Sequence, residues 1–175
     1  MVDPVDLEAV KNALGSFPTG VTLVTTVHEG AHQGLTANSF TSVSLEPLLV
    51  LVCVQRSARF HDLVLASGRW GVSVLSDRLE EVSRIFAVHG RAWTEDQFAP
   101  FPHRVGEASG CLLLTEAAAT FECATLATAP GGDHTIVIGE VLAFAAGPPG
   151  AAPLVYAGGN YRRLPPLRPG EGRKA

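Results

Sequence analysis

The chain has 175 residues, of which 46% are hydrophobic and only 17% charged, and its formal net charge is −4. This length fits one domain better than two, and the acidic balance argues against a nucleic-acid binder, which usually presents a basic face. The low charged fraction indicates a further surface buried against a partner, and a homodimer is the commonest form of such burial.

The cysteines and the N-terminus carry no signal for a metal or a membrane. Cys53, Cys111 and Cys123 are too widely spaced for a zinc motif, and their apolar surroundings are typical of buried, reduced thiols. The N-terminus is acidic, and no apolar run approaches the length of a membrane span. We therefore expect a soluble, cytoplasmic protein without a metal site or a membrane segment.

Taken in chain order, the hydrophobic pattern begins with a helix and continues mainly with strands. Helical spacing predicts helices at about 6–14, 59–66 and 77–88, and Asp77 is the expected N-cap of the third. Alternating residues predict strands at about 20–28, 31–36, 39–44, 48–54, 70–75, 111–114, 117–128, 135–146 and 154–157. Residues 89–102 have no steady period and are predicted to form a loop or lid with a short helical turn.

This succession predicts a mainly β protein with flanking helices. Many short strands and few helices favour a closed or partly closed antiparallel barrel. A parallel α/β sheet would need helices between its strands, and the second half of the sequence offers none. We expect one domain over residues 1–164, followed by a disordered tail at 165–175.

Polar residues gather at both ends of the most apolar predicted strand, residues 48–54. Before the strand lies the segment Thr36-Ala37-Asn38-Ser39, and directly after it come Arg56 and Ser57. Arginine binds phosphate through two parallel hydrogen bonds, and loops after buried strands often bind ligands. The pattern favours a ligand with a phosphate and a flat apolar part. The alternatives are hydroxyls that satisfy their own backbone and arginines that are simply solvated.

Two motifs near the C-terminus add further candidates. His134 follows two glycines and Asp133, so it could hydrogen-bond a ligand amide or transfer a proton, whereas the alternative is an exposed hairpin turn. Tyr161 and Arg162 could clamp a flat ligand, or the tyrosine could merely dock a terminal strand. Neither a Rossmann glycine motif nor a Walker phosphate loop occurs, so another architecture would hold a nucleotide.

Together and in this order, the motifs resemble the flavin reductase-like, FMN-binding split-barrel family. Similar members are small NAD(P)H:flavin oxidoreductases that serve as reductase components of two-component flavin monooxygenases. The resemblance covers about residues 10–164 and rests on the segments FPTGV at 17–21, GLTANSF at 34–40, SVS at 42–44 with Pro47, Cys53-Val54, Arg56-Ser57, GDH at 132–134, GEV at 139–141 and GNY at 159–161. It implies a homodimer of six-stranded antiparallel Greek-key barrels with a flavin site near the dimer interface.

The resemblance also implies roles for single residues on the flavin side. By analogy, the isoalloxazine and ribityl chain would contact Thr36, Ala37, Asn38 and Ser39. Cys53 and Val54 would line the ring through their backbone, while Arg56 and Ser57 would reach the ribityl or phosphate end. Ala58 departs from the Ser or Thr that members often carry there, which removes one possible phosphate donor.

On the nicotinamide side, the resemblance places His134 at the subsite, where it would orient the carboxamide, with Tyr161 and Arg162 nearby. The implied reaction is hydride transfer from C4 of NADH or NADPH to N5 of FMN or FAD, with the reduced flavin supplied to a partner monooxygenase. Two alternatives stay open: a flavoprotein that keeps FMN and reduces another acceptor, and a non-catalytic flavin- or haem-binding module. A ligand-free dimerisation protein would not explain the polar clusters.

Overall fold

The computed structural model describes residues 6–88, 90, 92, 94 and 96–164. Within these residues lie three α-helices: α1 (Leu7–Gly15), α2 (Arg59–Ser67) and α3 (Glu80–Phe86). The strands are β1 (Thr19–Gly20), β2 (Thr22–His28), β3 (Ala31–Ala37), β4 (Thr41–Leu45), β5 (Leu48–Gln55), β6 (Arg69–Val74), β7 (His103–Val105), β8 (Leu112–Leu114), β9 (Ala119–Gly131), β10 (His134–Ala146), β11 (Leu154–Ala157) and β12 (Asn160–Arg163).

Seven strands form one antiparallel sheet in the order β3-β2-β6-β9-β10-β5-β4. The sheet curves back on itself, because β3 at one end also lies against β5 near the other. β4 adds a seventh strand to the six that the resemblance implied, since residues 41–45 pair along the outer edge of β5. Two small sheets, β1-β11-β12 and β7-β8, complete the β structure of the described residues.

The alternation of side chains along the strands builds two buried clusters. In β5, Val50, Val52 and Val54 point inward and are at most 3% exposed, because successive side chains of a strand face opposite ways. They pack with Trp70 and with Val64 of α2 in the first cluster. The second cluster lies under α3 and includes Leu23, Leu75, Val82, Phe86 and Leu154.

Close packing inside the barrel requires a glycine opposite its largest side chain. An added Cβ at Gly139 of β10 would collide with the indole of Trp70, which is completely buried. The resemblance to known flavin reductases included this GEV segment at 139–141, and the structure gives its glycine a packing reason. The small residue lets the indole lie directly against the strand that carries His134 at its start.

Several elements differ from the prediction made from periodicity. Asp77 is not the N-cap of one long helix; residues 77–79 form a 3-10 turn, and α3 begins at Glu80 and ends at Phe86. The backbone N–H of Asp77 donates to the carbonyl oxygen of Ala152 at 2.8 Å, so a distant segment fixes this turn. The short strands β7 and β12 were not predicted, and the predicted tail at 165–175 lies outside the described residues.

Within the described part of the chain, no helix combines the length and apolar character needed to cross a membrane.

Candidate functional site

A cavity of about 510 Å³ opens between β3, the end of β5 and the start of α2. Its volume lies in the range of small-molecule and cofactor sites, roughly 300–1,000 Å³. The lining residues are 33–39, Cys53, Gln55, 57–60, 86–88, Gly90 and His134. Seven consecutive residues contribute on the β3 side because β3 is an end strand, paired only with β2 in the sheet. An end strand exposes peptide N–H and C=O groups along its outer edge, and these can bind a polar ligand.

The turn after β3 is fixed to β5 by one serine. The Ser39 hydroxyl accepts a hydrogen bond from the Cys53 N–H at 3.0 Å and lies 3.3 Å from the Cys53 carbonyl oxygen, to which it donates. Ser39 and Cys53, which are fourteen residues apart, therefore face the cavity together. Since its hydroxyl already bonds to backbone, Ser39 fits the alternative in which hydroxyls satisfy the protein's own chain.

Thr36 connects the cavity wall to α3. Its hydroxyl donates to the carbonyl oxygen of Ser83 at 2.8 Å. Phe86, at the end of the same helix, lines the cavity and packs against Gly34, where an added Cβ would come within 2.8 Å of the ring. The helix thus shapes one wall, and Gly34 makes its close approach possible.

The turn at Gly132-Asp133-His134 and the loop at Arg56-Ser57 lie side by side and are hydrogen-bonded to each other. β10 pairs with β5 in a register that places His134 opposite Gln55, and the Arg56 N–H donates to the Asp133 carbonyl oxygen at 2.9 Å. The Asp133 carboxylate lies 2.7 Å from Nδ1 of His134. Because the carboxylate can only accept, Nδ1 carries the proton, and Nε2 is the ring nitrogen left for a ligand.

His61 is a residue that sequence reasoning gave no role. Its Nδ1 lies 2.8 Å from Oδ1 of Asp62, and its Nε2 lies 2.9 Å from the hydroxyl of Thr135. The contact ties the first turn of α2 to β10, one residue after His134. No sequence signal could have found it, because Thr135 is 74 residues away.

The structure brings together most of the residues singled out in the sequence, but not all. The cavity is lined by Thr36, Ala37, Asn38, Ser39, Cys53, Ser57 and His134. Val54 and Arg56 are not among the lining residues. Val54 points into the core, where it is 1% exposed, and Arg56 is exposed beside Asp133.

Tyr161 and Arg162 also lie outside the lining of this cavity. The Tyr161 hydroxyl is 2.7 Å from the Ser83 hydroxyl, and the Arg84 guanidinium lies 4.7 Å from the centre of its ring. Tyr161 therefore packs against α3, and Arg162 is exposed on β12. The lining residues that sequence reasoning did not assign include Gln33, Gln55, Arg59, Phe60 and Phe86.

No group of three or more His, Cys, Asp or Glu side chains in the described residues could hold a metal ion. Of the charged groups at the cavity rim, Asp133 has its pKa lowered, first by the hydrogen bond from His134 and then by the charge of that ring. A carboxyl whose pKa is lower in the folded chain stabilises the fold above its unfolded pKa. It loses that contribution as the pH falls through the folded value.

We expect Asp133 to titrate below the ordinary value of 3.8, and the substitution His134→Ala to move its pKa back toward that value. The change removes both the hydrogen bond and the charge that favour the carboxylate. Carbon-detected NMR of the side-chain carboxyl measures this directly, with His28→Ala as the control. Identical Asp133 titration curves in the wild type and in His134→Ala would contradict the assignment.

Comparisons with known proteins show which family the chain resembles. A family model described as "Flavin reductase like domain" matches residues 14–165. An NADH-dependent FAD reductase from Streptomyces globisporus is 44% identical over 166 residues, which are 95% of this chain and 90% of that protein.

Solved structures show the same relationship. The NADH:FAD oxidoreductase SgcE6 of Streptomyces globisporus, in complex with NAD and FAD fragments, has a TM-score of 0.86 and 42% identity over 95% of this chain and 97% of its own. BorF, the flavin reductase component of a bacterial two-component tryptophan halogenase, has a TM-score of 0.87 and is 38% identical. The match covers 93% of this chain and 100% of BorF. The predicted mainly β, split-barrel fold is confirmed. The chain belongs to the flavin reductase-like domain family.

Proposed function

We propose that the cavity between β3, β5 and α2 holds the flavin of this NAD(P)H:flavin oxidoreductase, with the nicotinamide at His134. The observation that carries the proposal is the arrangement of the walls. The outer edge of β3 and the start of α2 both line one cavity, and His134 lies at its rim. Peptide groups on the β3 side would bond the polar edge of a planar ring.

The start of α2 fits the phosphate end of a flavin nucleotide. Ala58 is the N-cap residue, and no side chain of the described residues caps this helix. The N–H groups at the start of a helix carry partial positive charge that favours an anion. In α2 the His61 N–H already donates to the Ala58 carbonyl oxygen at 2.9 Å, so the anion would bind before this bond. Ser57, also in the lining, would add a hydroxyl, and Arg56 would add a positive charge beside it.

The flavin and the nicotinamide supply the hydride transfer themselves. The residues of this chain bind the two ring systems, hold them face to face and exclude water, and alignment of that kind accounts for much of the acceleration. His134 would hold the nicotinamide carboxamide through Nε2, because Nδ1 is engaged by Asp133. In this role the imidazole orients the ligand and transfers no proton.

We assign NADH and FAD to this chain as the preferred pair. The Streptomyces globisporus relative is named as an NADH-dependent FAD reductase, and this chain covers 90% of it. HsaB of Mycobacterium tuberculosis, 33% identical over 163 residues, is named as the reductase subunit of a flavin-dependent monooxygenase, which supports delivery of reduced flavin to a separate monooxygenase. The alternative, a fixed FMN that serves another acceptor, would give a yellow purified protein whose NADH oxidation does not depend on added flavin.

We expect His134→Ala to raise the KM for NADH about three- to tenfold, because it removes one hydrogen bond to the nicotinamide. The dissociation constant of FAD should change less. The assay follows NADH oxidation that depends on added flavin. His28→Ala, at the far end of β2 and outside the cavity, is the matched control. An unchanged KM for NADH in His134→Ala would remove this role.

The position of the flavin can be tested without any turnover. Cys53 lines the cavity and is half-buried, whereas Cys111 and Cys123 are 0% exposed. Burial raises the pKa of both inner thiols, that of Cys123 to about 12. Since the thiolate is the reactive form, we expect one fast-reacting thiol per chain with a disulfide reagent, and we expect saturating FAD to slow it. Cys53→Ser should remove the fast phase, and equal rates with and without FAD would place the flavin elsewhere.

We further propose that the protein is a homodimer in which α1 packs on the second copy. No side chain of its nine described residues is buried, and Leu7 and Leu14 are 70% and 69% exposed. A single short helix is not stable in water, so an apolar face of this kind needs a surface to cover it. Leu45 and Phe144, which are 85% and 72% exposed, are further apolar side chains that the chain itself leaves uncovered.

Sedimentation velocity should give twice the chain mass of 18.4 kDa at micromolar concentration. Leu14→Asp should shift the equilibrium toward monomer, because it places a charge in the covered face. Asn12→Asp adds the same charge on the opposite side of α1 and should leave the dimer intact. A monomeric wild type would refute the proposal.

A further inference from the structure

A buried side-chain amide on β3 has no hydrogen-bond partner in the part of the chain that the structure describes. Gln33 is 6% exposed and lines the cavity, and its Nε2 atom is shielded from solvent. Buried side-chain donors are nearly always paired, because an unpaired donor loses its bonds to water and gains nothing in return. The free protein thus leaves the bonding of this cavity residue incomplete.

Two polar groups that lie next to Gln33 along the sheet form hydrogen bonds with other residues. Thr26, its register partner on β2, donates its hydroxyl to the carbonyl oxygen of Arg69 at 2.7 Å. The neighbouring carbonyl oxygen, that of His32, accepts from the Gln97 amide at 2.8 Å. The Gln33 amide takes part in neither of these bonds, and Gln33 lines the cavity, so a ligand bound there can supply the partner that the amide lacks.

We propose that Gln33 hydrogen-bonds to the polar edge of the planar ligand in this cavity and helps to select that ligand. A carboxamide offers N–H donors and a C=O acceptor side by side. Half a turn about its last torsion exchanges nitrogen and oxygen, so either atom can face the cavity. The pyrimidine ring of a flavin and the carboxamide of a nicotinamide both present such an amide-like edge. The inference rests on the flavin site proposed above.

Because the Gln33 amide is unpaired in the free protein, its contribution to ligand affinity can be measured separately from its contribution to stability. A ligand with an amide-like edge restores the missing bond, whereas a ligand without it leaves Gln33 unpaired and binds more weakly. Removal of the amide costs the free protein little, because no bond within the protein is lost. A glutamine with a purely structural role would show the reverse: its loss would lower stability and leave ligand binding unchanged.

The test is Gln33→Met, which keeps a long, unbranched side chain of similar size and removes the amide. We expect either the dissociation constant of FAD, measured by fluorescence quenching, or the KM for NADH at saturating flavin to rise about tenfold. The thermal midpoint of the free protein should stay the same or rise. A higher FAD constant assigns the bond to the flavin, and a higher KM alone assigns it to the nicotinamide.

Gln97→Met is the matched control, because Gln97 is also buried, at 7% exposure, but donates to a backbone carbonyl. It should lower the thermal midpoint and leave both ligand constants nearly unchanged. The inference is overturned if Gln33→Met changes neither constant, or if it lowers the midpoint as Gln97→Met does. Protection of Cys53 by FAD decides separately whether the flavin lies in this cavity. If FAD still protects Cys53, a negative result for Gln33→Met contradicts the role of Gln33 and leaves the proposed flavin site standing.

Discussion

The register of β10 against β5 is the constraint on which the site depends. It sets His134 opposite Gln55, and the next backbone hydrogen bond, from Arg56 to Asp133, extends the pairing into both loops. A slip of one residue would turn every side chain of β10 to the other face of the sheet. His134 would then leave the cavity rim, and Val137 would leave the core, where it is completely buried. The hydrophobic pattern of the strand and the geometry of the site therefore enforce the same alignment.

The elements that sequence alone could predict are those determined by residues that are close together in the chain. The alternating residues of β5 and β10 determine which side chains point inward, and a helical period marks α2 and its glycine end at Gly68. The motif at 36–39 faces the cavity because it forms the end of an edge strand and the turn after it. In each case the information lies within a few neighbouring residues.

What sequence reasoning could not supply are contacts between distant segments. The hydroxyl of Tyr161 meets that of Ser83 in α3, 78 residues earlier in the chain, and its expected place near the nicotinamide stays a prediction. Phe86 lines the cavity only because α3 packs over Gly34. The Asp77 turn is fixed by Ala152 in the same way. None of these partners leaves a periodic or compositional signal, since each depends on how the whole chain folds back.

The small sheet of β1, β11 and β12 brings residues near the two ends of the described chain side by side. Thr19 pairs with Tyr156, and the backbone of Leu75 is hydrogen-bonded both to Val21 and to Leu154. During synthesis, β1 can therefore pair only after more than a hundred further residues have been made and β11 has left the ribosome. Contacts of such long sequence separation form slowly, because the chain loses the entropy of loop closure before the contacts stabilise it. The cluster under α3, which Leu154 helps to close, is consequently the part of the fold that a nascent chain completes last.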